Sequence, residues 1–333
     1  MNCPKPVGWV LAGTLVLGLA AGGGPALFSA LAQPPESISA QVQPLPGKAP
    51  AEQLALSRLT ALGMNPSQAL SLWANLDPDR QRDLMAFSGP PAWLDYLAFD
   101  FAWLERLERY EAFHIRRPNL SAEDVVVQVN IGLDMPPYEN PEAVENPESL
   151  TALVNQYHAL PADYVPELVS LEAAYTNQQD RLRPEAYRAF VRMADAAAQE
   201  GLRLYNASAY RSYQTQRWVY QRYVQQEGME AADTYSARPG HSEHQTGLAL
   251  DINTASLDDH FEESREYAWL LENSWRFGFL LRFPEGKEAL TGYQFEPWHY
   301  RYVGRQAAKV CWEEGWTLEE YTARLPAADR TGS

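Results

Sequence analysis

Apolar residues recur at helical spacing from Ala51 to about Tyr110, and proline-led start signals cut the run into pieces. Leu54, Leu59 and Leu62 open one amphipathic stretch. Asn65-Pro66 reads as a cap followed by proline at the first helical position, leading into Ala69, Leu70 and Trp73. Asp77-Pro78 repeats that signature ahead of Leu84 and Phe87. Pro90-Pro91 starts a longer run in which Trp93, Leu97, Phe101, Leu104 and Leu107 keep helical spacing, so one long core helix is expected there. Ser121, with Asp124 three residues on, resembles a helix start ahead of Val125 to Val129. Pro136-Pro137 to Pro147 is a turn-rich connector.

The pattern then changes. Pro184 to Glu200 is amphipathic, with Tyr187, Phe190, Val191 and Ala194 on one face. Leu202 to Ser208 reads as a strand, Gln214 to Val224 as a helix, and Leu248 to Ile252 and Gln294 to Val303 as short β-type runs. Helices first and short strands later predict an α+β fold and argue against a parallel doubly wound sheet. No internal repeat is present. With 333 residues, 46% of them apolar, the chain has enough material for one large domain and a smaller one.

The N-terminus reads as an export segment. Lys5 is the only charged side chain before Glu36, Val7 to Ala21 is apolar, and Ala30-Leu31-Ala32 has the small-x-small form of a cleavage site. An uncleaved anchor is the competing reading of residues 1–32. Gly22-Gly23-Gly24-Pro25 would weaken a continuous helix and favours cleavage. Both place the bulk of the chain outside the cytoplasm, in the cell envelope or secreted, with a membrane anchor in the second case. Residues 33–50, rich in Pro, Ser, Ala and Gln, read as a disordered tether. Neither reading allows Cys3 to bridge Cys311, so the fold does not rest on disulfides. Cys311, in an apolar stretch, reads as a buried small hydrophobe.

A formal net charge of −16 argues against nucleic acid as a partner, because phosphate binding needs a basic face. It also argues against electrostatic docking on anionic membranes or wall polymers. A small neutral or mixed-charge substrate fits better.

Of the six histidines, none lies in an H-E-x-x-H pattern, and no G-x-S-x-G elbow is present. The densest chemistry is Ser242-Glu243-His244-Gln245-Thr246-Gly247-Leu248-Ala249-Leu250-Asp251. Read as a strand, Gly247 to Asp251 sends Leu248, Leu250 and Ile252 to one face and Gly247, Ala249 and Asp251 to the other, with His244 just before it. The second face is small, small, carboxylate, with room for an ion, and His244 can fold back over it. A His and an Asp so placed suit Zn²⁺. On spacing alone, an Asp251 that hydrogen-bonds a loop fits equally well. The second cluster is Phe295-Glu296-Pro297-Trp298-His299-Tyr300, which offers a third neutral ligand and a nearby carboxylate. Glu296 and His299 are three apart, and a regular strand sends them to opposite faces. A bend or bulge at Pro297 is therefore expected. Arg211, in Ser208-Ala209-Tyr210-Arg211-Ser212 after a strand, can bind a carboxylate or an oxyanion, or be an ordinary surface arginine. His241 reads as a solvated loop residue, Glu243 as an exposed neighbour of His244, and His114 and His158 as structural. His260 matches no ligand position.

Ser208 to Gln216, Ser242 to Asp251 and Glu296-Pro297-Trp298-His299 together resemble the VanY-type D-alanyl-D-alanine carboxypeptidases, of the lysostaphin/D-Ala-D-Ala peptidase/hedgehog-like group of zinc folds. Leu153-Val154-Asn155 and Leu160 to Tyr164 resemble the segment that opens this domain, and the likeness covers about Val125 to Val310. It implies a zinc domain with a small antiparallel sheet and flanking helices over 120–325, preceded by a helical accessory region at 51–119. It implies one Zn²⁺ held by His244, Asp251 and His299, with Glu296 as general base and Arg211 stabilising the oxyanion or the substrate carboxylate. Gln216 and Ser242 match residues that hydrogen-bond the terminal dipeptide, and Trp298 is expected at the pocket floor. The implied activity is removal of the terminal D-Ala from peptidoglycan stem peptides. An L,D-carboxypeptidase acting on the tetrapeptide and a non-catalytic peptidoglycan-binding module are the alternatives.

Overall fold

Proline and cap residues divide the N-terminal third into short helices. A computed structural model describes residues 50–325, apart from Leu62, Phe87, Ser88 and Asn177. The export segment expected at 1–32, Cys3, and the tether up to residue 49 lie outside the described residues. Among those described, no helix is long and apolar enough to cross a membrane. The first helices are α1 (Pro50–Ala61), α2 (Pro66–Asn75) and α3 (Pro78–Ala86). The Asn65 side chain accepts the Ser67 N–H at the start of α2, and Asp77 accepts the Arg80 N–H at the start of α3.

The long helix expected after Pro90-Pro91 is broken. The chain forms a 3₁₀ turn at Pro91–Trp93, α4 (Leu94–Leu97), a second 3₁₀ turn at Leu104–Arg106, and then α5 (Leu107–Arg116). Side chains hold the break. The Tyr110 hydroxyl accepts the Trp103 N–H at 2.9 Å and donates to Asn130 Oδ1 at 2.7 Å, while Asn130 Nδ2 donates to the Phe101 carbonyl at 2.9 Å. Leu97, Phe101 and Leu107 remain buried in this broken form, so helical spacing there reports burial rather than one continuous helix. α6 (Ala122–Asn130), capped by Ser121, adds Val125, Val126, Val127 and Val129 to the same apolar core. The change of region expected at 119/120 therefore coincides with no break in packing.

The connector carries two small ladders. β1 (Glu142–Ala143) pairs in parallel with β2 (His158–Ala159), and β3 (Val169–Ser170) pairs antiparallel with β4 (Arg181–Leu182). α7 (Pro184–Gln199) then buries Phe190, Met193 and Ala197 along one stripe. The central sheet is built from β5 (Tyr205–Ser208), β6 (Ala249–Asn253), β7 (Phe279–Leu281) and β8 (His299–Tyr302), in the order β5-β6-β8-β7 with every neighbour antiparallel. The residues from Leu202 and from Gln294 that were expected to begin strands are loop. The remaining helices are α8 (Tyr213–Glu227), α9 (Met229–Ala232), α10 (Arg265–Asn273), α11 (Glu288–Thr291), α12 (Arg305–Glu314) and α13 (Leu318–Ala323). This is the expected α+β fold, a small antiparallel sheet flanked by helices.

The two faces of the sheet differ in kind. Leu250, Ile252, Phe279 and Tyr300 project into the core formed with Phe190 and Met193. Strand alternation sends Ala249, Asp251, His299 and Arg301 to the opposite face. Cys311 is free and buried beside Leu280 and Val303, and burial pushes its thiol up to about 12. It is the inert hydrophobe its surroundings implied.

Candidate active site

Local backbone geometry brings the polar residues together. Glu243–Thr246 forms a 3₁₀ turn that ends on Gly247, whose φ of +67° is left-handed. A Cβ on Gly247 would lie 2.9 Å from Leu168 Cδ2 and 3.2 Å from Arg183 Cγ, so glycine is required there. This turn sets His244 over the strand that carries Asp251. The bend expected at Pro297 is present, and it is a turn rather than a bulge: the His299 N–H bonds to the Glu296 carbonyl at 3.2 Å immediately before β8 begins. A bulge does occur in β5, where the register shift between Asn206 and Ser208 sets Ser208 opposite Asp251.

His244, Asp251 and His299 converge, each offering one donor atom, and these atoms all lie within 4.8 Å of one another. His244 Nε2 lies 3.5 Å from Asp251 Oδ1, and His299 Nδ1 lies 3.2 Å from the same oxygen. The His244 Nδ1–H donates to the Ala209 carbonyl at 2.6 Å, which turns Nε2 toward Asp251. Asp251 Oδ1 is buried and has no hydrogen-bond partner. Two imidazole nitrogens around a buried, unsatisfied carboxylate oxygen form a donor set that fits a divalent cation such as Zn²⁺. Burial works against the Asp251 charge, but His244 and His299 outweigh it and hold the carboxyl far below its usual range. Burial likewise lowers His244, whereas for His299 Asp251 and Glu243 overcome burial and raise it to about 9.

Glu296 Oε2 lies 3.6 Å from His299 Nδ1. Burial, with Asp251 adding to it and His299 opposing, pushes the Glu296 carboxyl up to about 7. A carboxyl poised there can exchange a proton near neutrality. Arg211 reaches the same cleft, its NH1 donating to Gln216 Oε1 at 2.9 Å and its NH2 to Ser208 Oγ at 3.1 Å. Gln216 in turn donates to the Ala237 carbonyl at 2.6 Å. Arg211, Gln216, Ser242, Glu296, Trp298 and the three converging residues line an open cleft of about 520 Å³. Every site residue singled out from the sequence lies in it.

Three placements differ from expectation. Trp298 is 37% exposed and stands at the cleft rim, not its floor, because the 296–299 turn carries it outward. His241 is buried, with Nδ1–H donating to the Asn155 carbonyl at 2.7 Å and its ring edge-on to Tyr138. Burial lowers its pKa. Glu243 is also buried, against the fully buried Arg282 and Arg301. Burial raises its carboxyl, but the two arginines, with His299, outweigh that and hold it well below the usual range. A signal for this was available: Arg282 and Arg301 interrupt the apolar runs Phe279–Phe283 and Tyr300–Val303, and an arginine buried in a strand requires an acid partner. Away from the cleft, His114 bonds the Tyr96 hydroxyl, His158 bonds Asn155, and His260 is exposed.

A family profile described as VanY, D-alanyl-D-alanine carboxypeptidase, matches residues 179–305. The D-alanyl-D-alanine carboxypeptidase of Enterococcus faecalis is 38% identical over 178 residues, which are 51% of this chain and 64% of that protein. The bifunctional D-Ala-D-Ala dipeptidase and D-Ala-D-Ala carboxypeptidase VanXYC of Enterococcus gallinarum is 34% identical over 176 residues, 51% of this chain and 91% of that one. The solved structure of the LdcB LD-carboxypeptidase superposes with a TM-score of 0.53 at 40% identity, over 56% of this chain and 91% of that chain. The profile match contains Arg211, Gln216, Ser242, His244, Asp251, Glu296 and His299, and leaves α1 to α6 outside. With a match that spans nearly all of one relative and takes in the whole polar centre of the cleft, this chain belongs to the VanY-type family of D-alanyl-D-alanine carboxypeptidases.

Proposed function

We propose that the protein is a zinc-dependent D-alanyl-D-alanine carboxypeptidase that removes the terminal D-Ala from peptidoglycan stem peptides. One observation carries this reading: His244, Asp251 and His299 converge on one point, and the buried carboxyl of Glu296 stands 3.6 Å from His299 beside it. His244, Asp251 and His299 would hold one Zn²⁺, which as a Lewis acid polarises the scissile carbonyl and lowers the pKa of water at the site.

Glu296 accepts a proton from the attacking water as its oxygen bonds to the scissile carbonyl carbon, and then delivers that proton to the leaving amine nitrogen. Its place beside His299, 3.6 Å away in the cleft, suits both transfers. Arg211, fixed by Gln216 and Ser208, presents its remaining N–H groups to the developing oxyanion or to the substrate's terminal carboxylate. Gln216 and Ser242 hydrogen-bond the terminal dipeptide, and Trp298 covers it from the rim. The export-type N-terminus read from residues 1–32, together with a wall substrate, supports action outside the cytoplasm. The catalytic domain runs to about residue 325, and the helices before it form an accessory region whose core also takes in α6.

An L,D-carboxypeptidase acting on the tetrapeptide is the second reading, favoured by the likeness to the LdcB structure. Incubation with defined penta- and tetrapeptide stems, with and without chelator, separates the readings by mass spectrometry. D-Ala released from the pentapeptide and abolished by chelator is the expected result. Release from the tetrapeptide alone would shift the assignment to L,D cleavage, and binding without hydrolysis would make the protein a wall-binding module.

A further inference from the structure

Beneath the cleft lies a closed cluster of four buried charges. Arg282 Nε donates to Glu243 Oε1 at 2.7 Å, while its NH1 and NH2 donate to Glu319 Oε2 and Oε1 at 2.8 and 2.6 Å. Arg301 NH1 approaches Glu243 Oε1 at 3.0 Å, and its NH2 donates to the Leu150 and Ala152 carbonyls. Two arginines and two glutamates leave the cluster neutral, which is the condition for burying so many charges together. Both arginines engage the same oxygen of Glu243. The other, Oε2, is buried without a hydrogen-bond partner and lies 3.5 Å from His299 Nε2, itself a buried nitrogen without one.

We propose that Glu243 is a positioning residue: its Oε2 accepts the Nε2–H of His299, so that the ring presents Nδ1 to the cation held with His244 and Asp251. The two histidines then use opposite nitrogens for one physical reason. A neutral imidazole carries one N–H, and the acceptor it meets decides which nitrogen keeps a lone pair. His244 gives its Nδ1–H to the Ala209 carbonyl and faces inward with Nε2. His299 has a carboxylate behind Nε2 and faces inward with Nδ1. Arg282 and Arg301 hold that carboxylate in place, and Glu319 on α13 balances Arg282. Because Glu243 directly precedes His244, the 3₁₀ turn supplies one ligand and the acceptor that orients another.

This inference rests on the proposed metal reading, and its test separates the two. Zn²⁺ affinity is measured on the full chain by competition with a chromophoric chelator, and the His299 tautomer is read by ¹⁵N NMR on the metal-free protein above about pH 10, where the ring is neutral. Two variants are compared with wild type: Glu243→Met paired with Arg301→Met, which keeps the neutral Arg282–Glu319 pair and guards against misfolding, and Glu319→Gln, which weakens the cluster without touching His299. The paired variant is expected to bind Zn²⁺ about 10- to 100-fold more weakly and to populate the Nδ1–H form of His299. Glu319→Gln is expected to lower the melting temperature but keep the wild-type tautomer and affinity within a few-fold. A folded paired variant with wild-type affinity and tautomer would overturn the role of Glu243. Equal loss in both variants would reduce it to a structural one, and a wild type that binds no Zn²⁺ would overturn the metal reading beneath it.

Discussion

The central sheet has one backbone and two unlike faces. Toward α7, Leu250, Ile252, Phe279 and Tyr300 pack among many apolar neighbours, each contact weak and exchangeable. On the reverse, Asp251, His299, Arg301 and, just past β7, Arg282 meet named atoms at hydrogen-bond range. The apolar face tolerates a swap of similar volume, because its stabilisation is spread over area. The polar face does not, because removing one partner leaves another charge buried and unpaired. Stability and chemistry therefore sit about one strand thickness apart, and a substitution should disturb one with little effect on the other.

The sharpest way to break that comparison is Glu296→Gln. If Glu296 moves the proton, turnover should fall by about 10²- to 10⁴-fold, with Zn²⁺ still bound. Stability should move the other way. The folded carboxyl titrates at about 7, above the roughly 4.3 of an unfolded glutamate. Between those values the folded state binds the extra proton, so the wild type loses stability as pH rises through this window. The glutamine variant carries no such group. In metal-free protein it should melt above wild type at pH 8 and level with it near pH 4. Unchanged turnover would remove Glu296 from its role, and a melting difference that does not grow with pH would remove the burial account of its pKa.

Leu250→Ala tests the other face. Leu250 is fully buried against the α7 core, and the cavity should cost about 2–5 kcal/mol in denaturant unfolding. Its neighbour Asp251 points away, so kcat of the folded fraction should stay within about two- to three-fold, well below the tenfold that 1.4 kcal/mol on the barrier would bring. A large fall in kcat at low temperature, where the variant is folded, would show that the faces are coupled.

The face assignments of this sheet were legible from the chain because strand alternation is local: Leu248, Leu250 and Ile252 against Ala249 and Asp251 needs five residues. The bend before His299 was legible for a related reason, since two residues three apart cannot share a face of a straight strand. Glu243 and His241 were misread as solvent-facing because their partners are distant in sequence. Arg282 and Arg301 lie beyond Asp251, and Asn155 lies far upstream, so only the closed fold shows that the turn is buried. The broken helix at Ala98–Trp103 has the same origin. Tyr110 and Asn130 supply its backbone bonds, and a periodicity window cannot see them.

Arg211 sits where the two kinds of order meet, just beyond the bulged end of β5 and clamped by Gln216 and Ser208. Arg211→Lys keeps the charge but replaces a planar fork by one compact ammonium, which cannot hold both neighbours and still present a free N–H edge. Losing one charge-assisted bond to substrate corresponds to about 1.5–3 kcal/mol, so kcat/KM should fall roughly 10- to 100-fold. The melting temperature should barely move, since Arg211 is half-buried at the rim of an open cleft and the substitution keeps its charge. A peptide amidated at its C-terminus identifies the bond that was lost. If Arg211 reads the terminal carboxylate, amidation should cost the wild type much and the lysine variant little more. If it serves the oxyanion instead, the two losses should add.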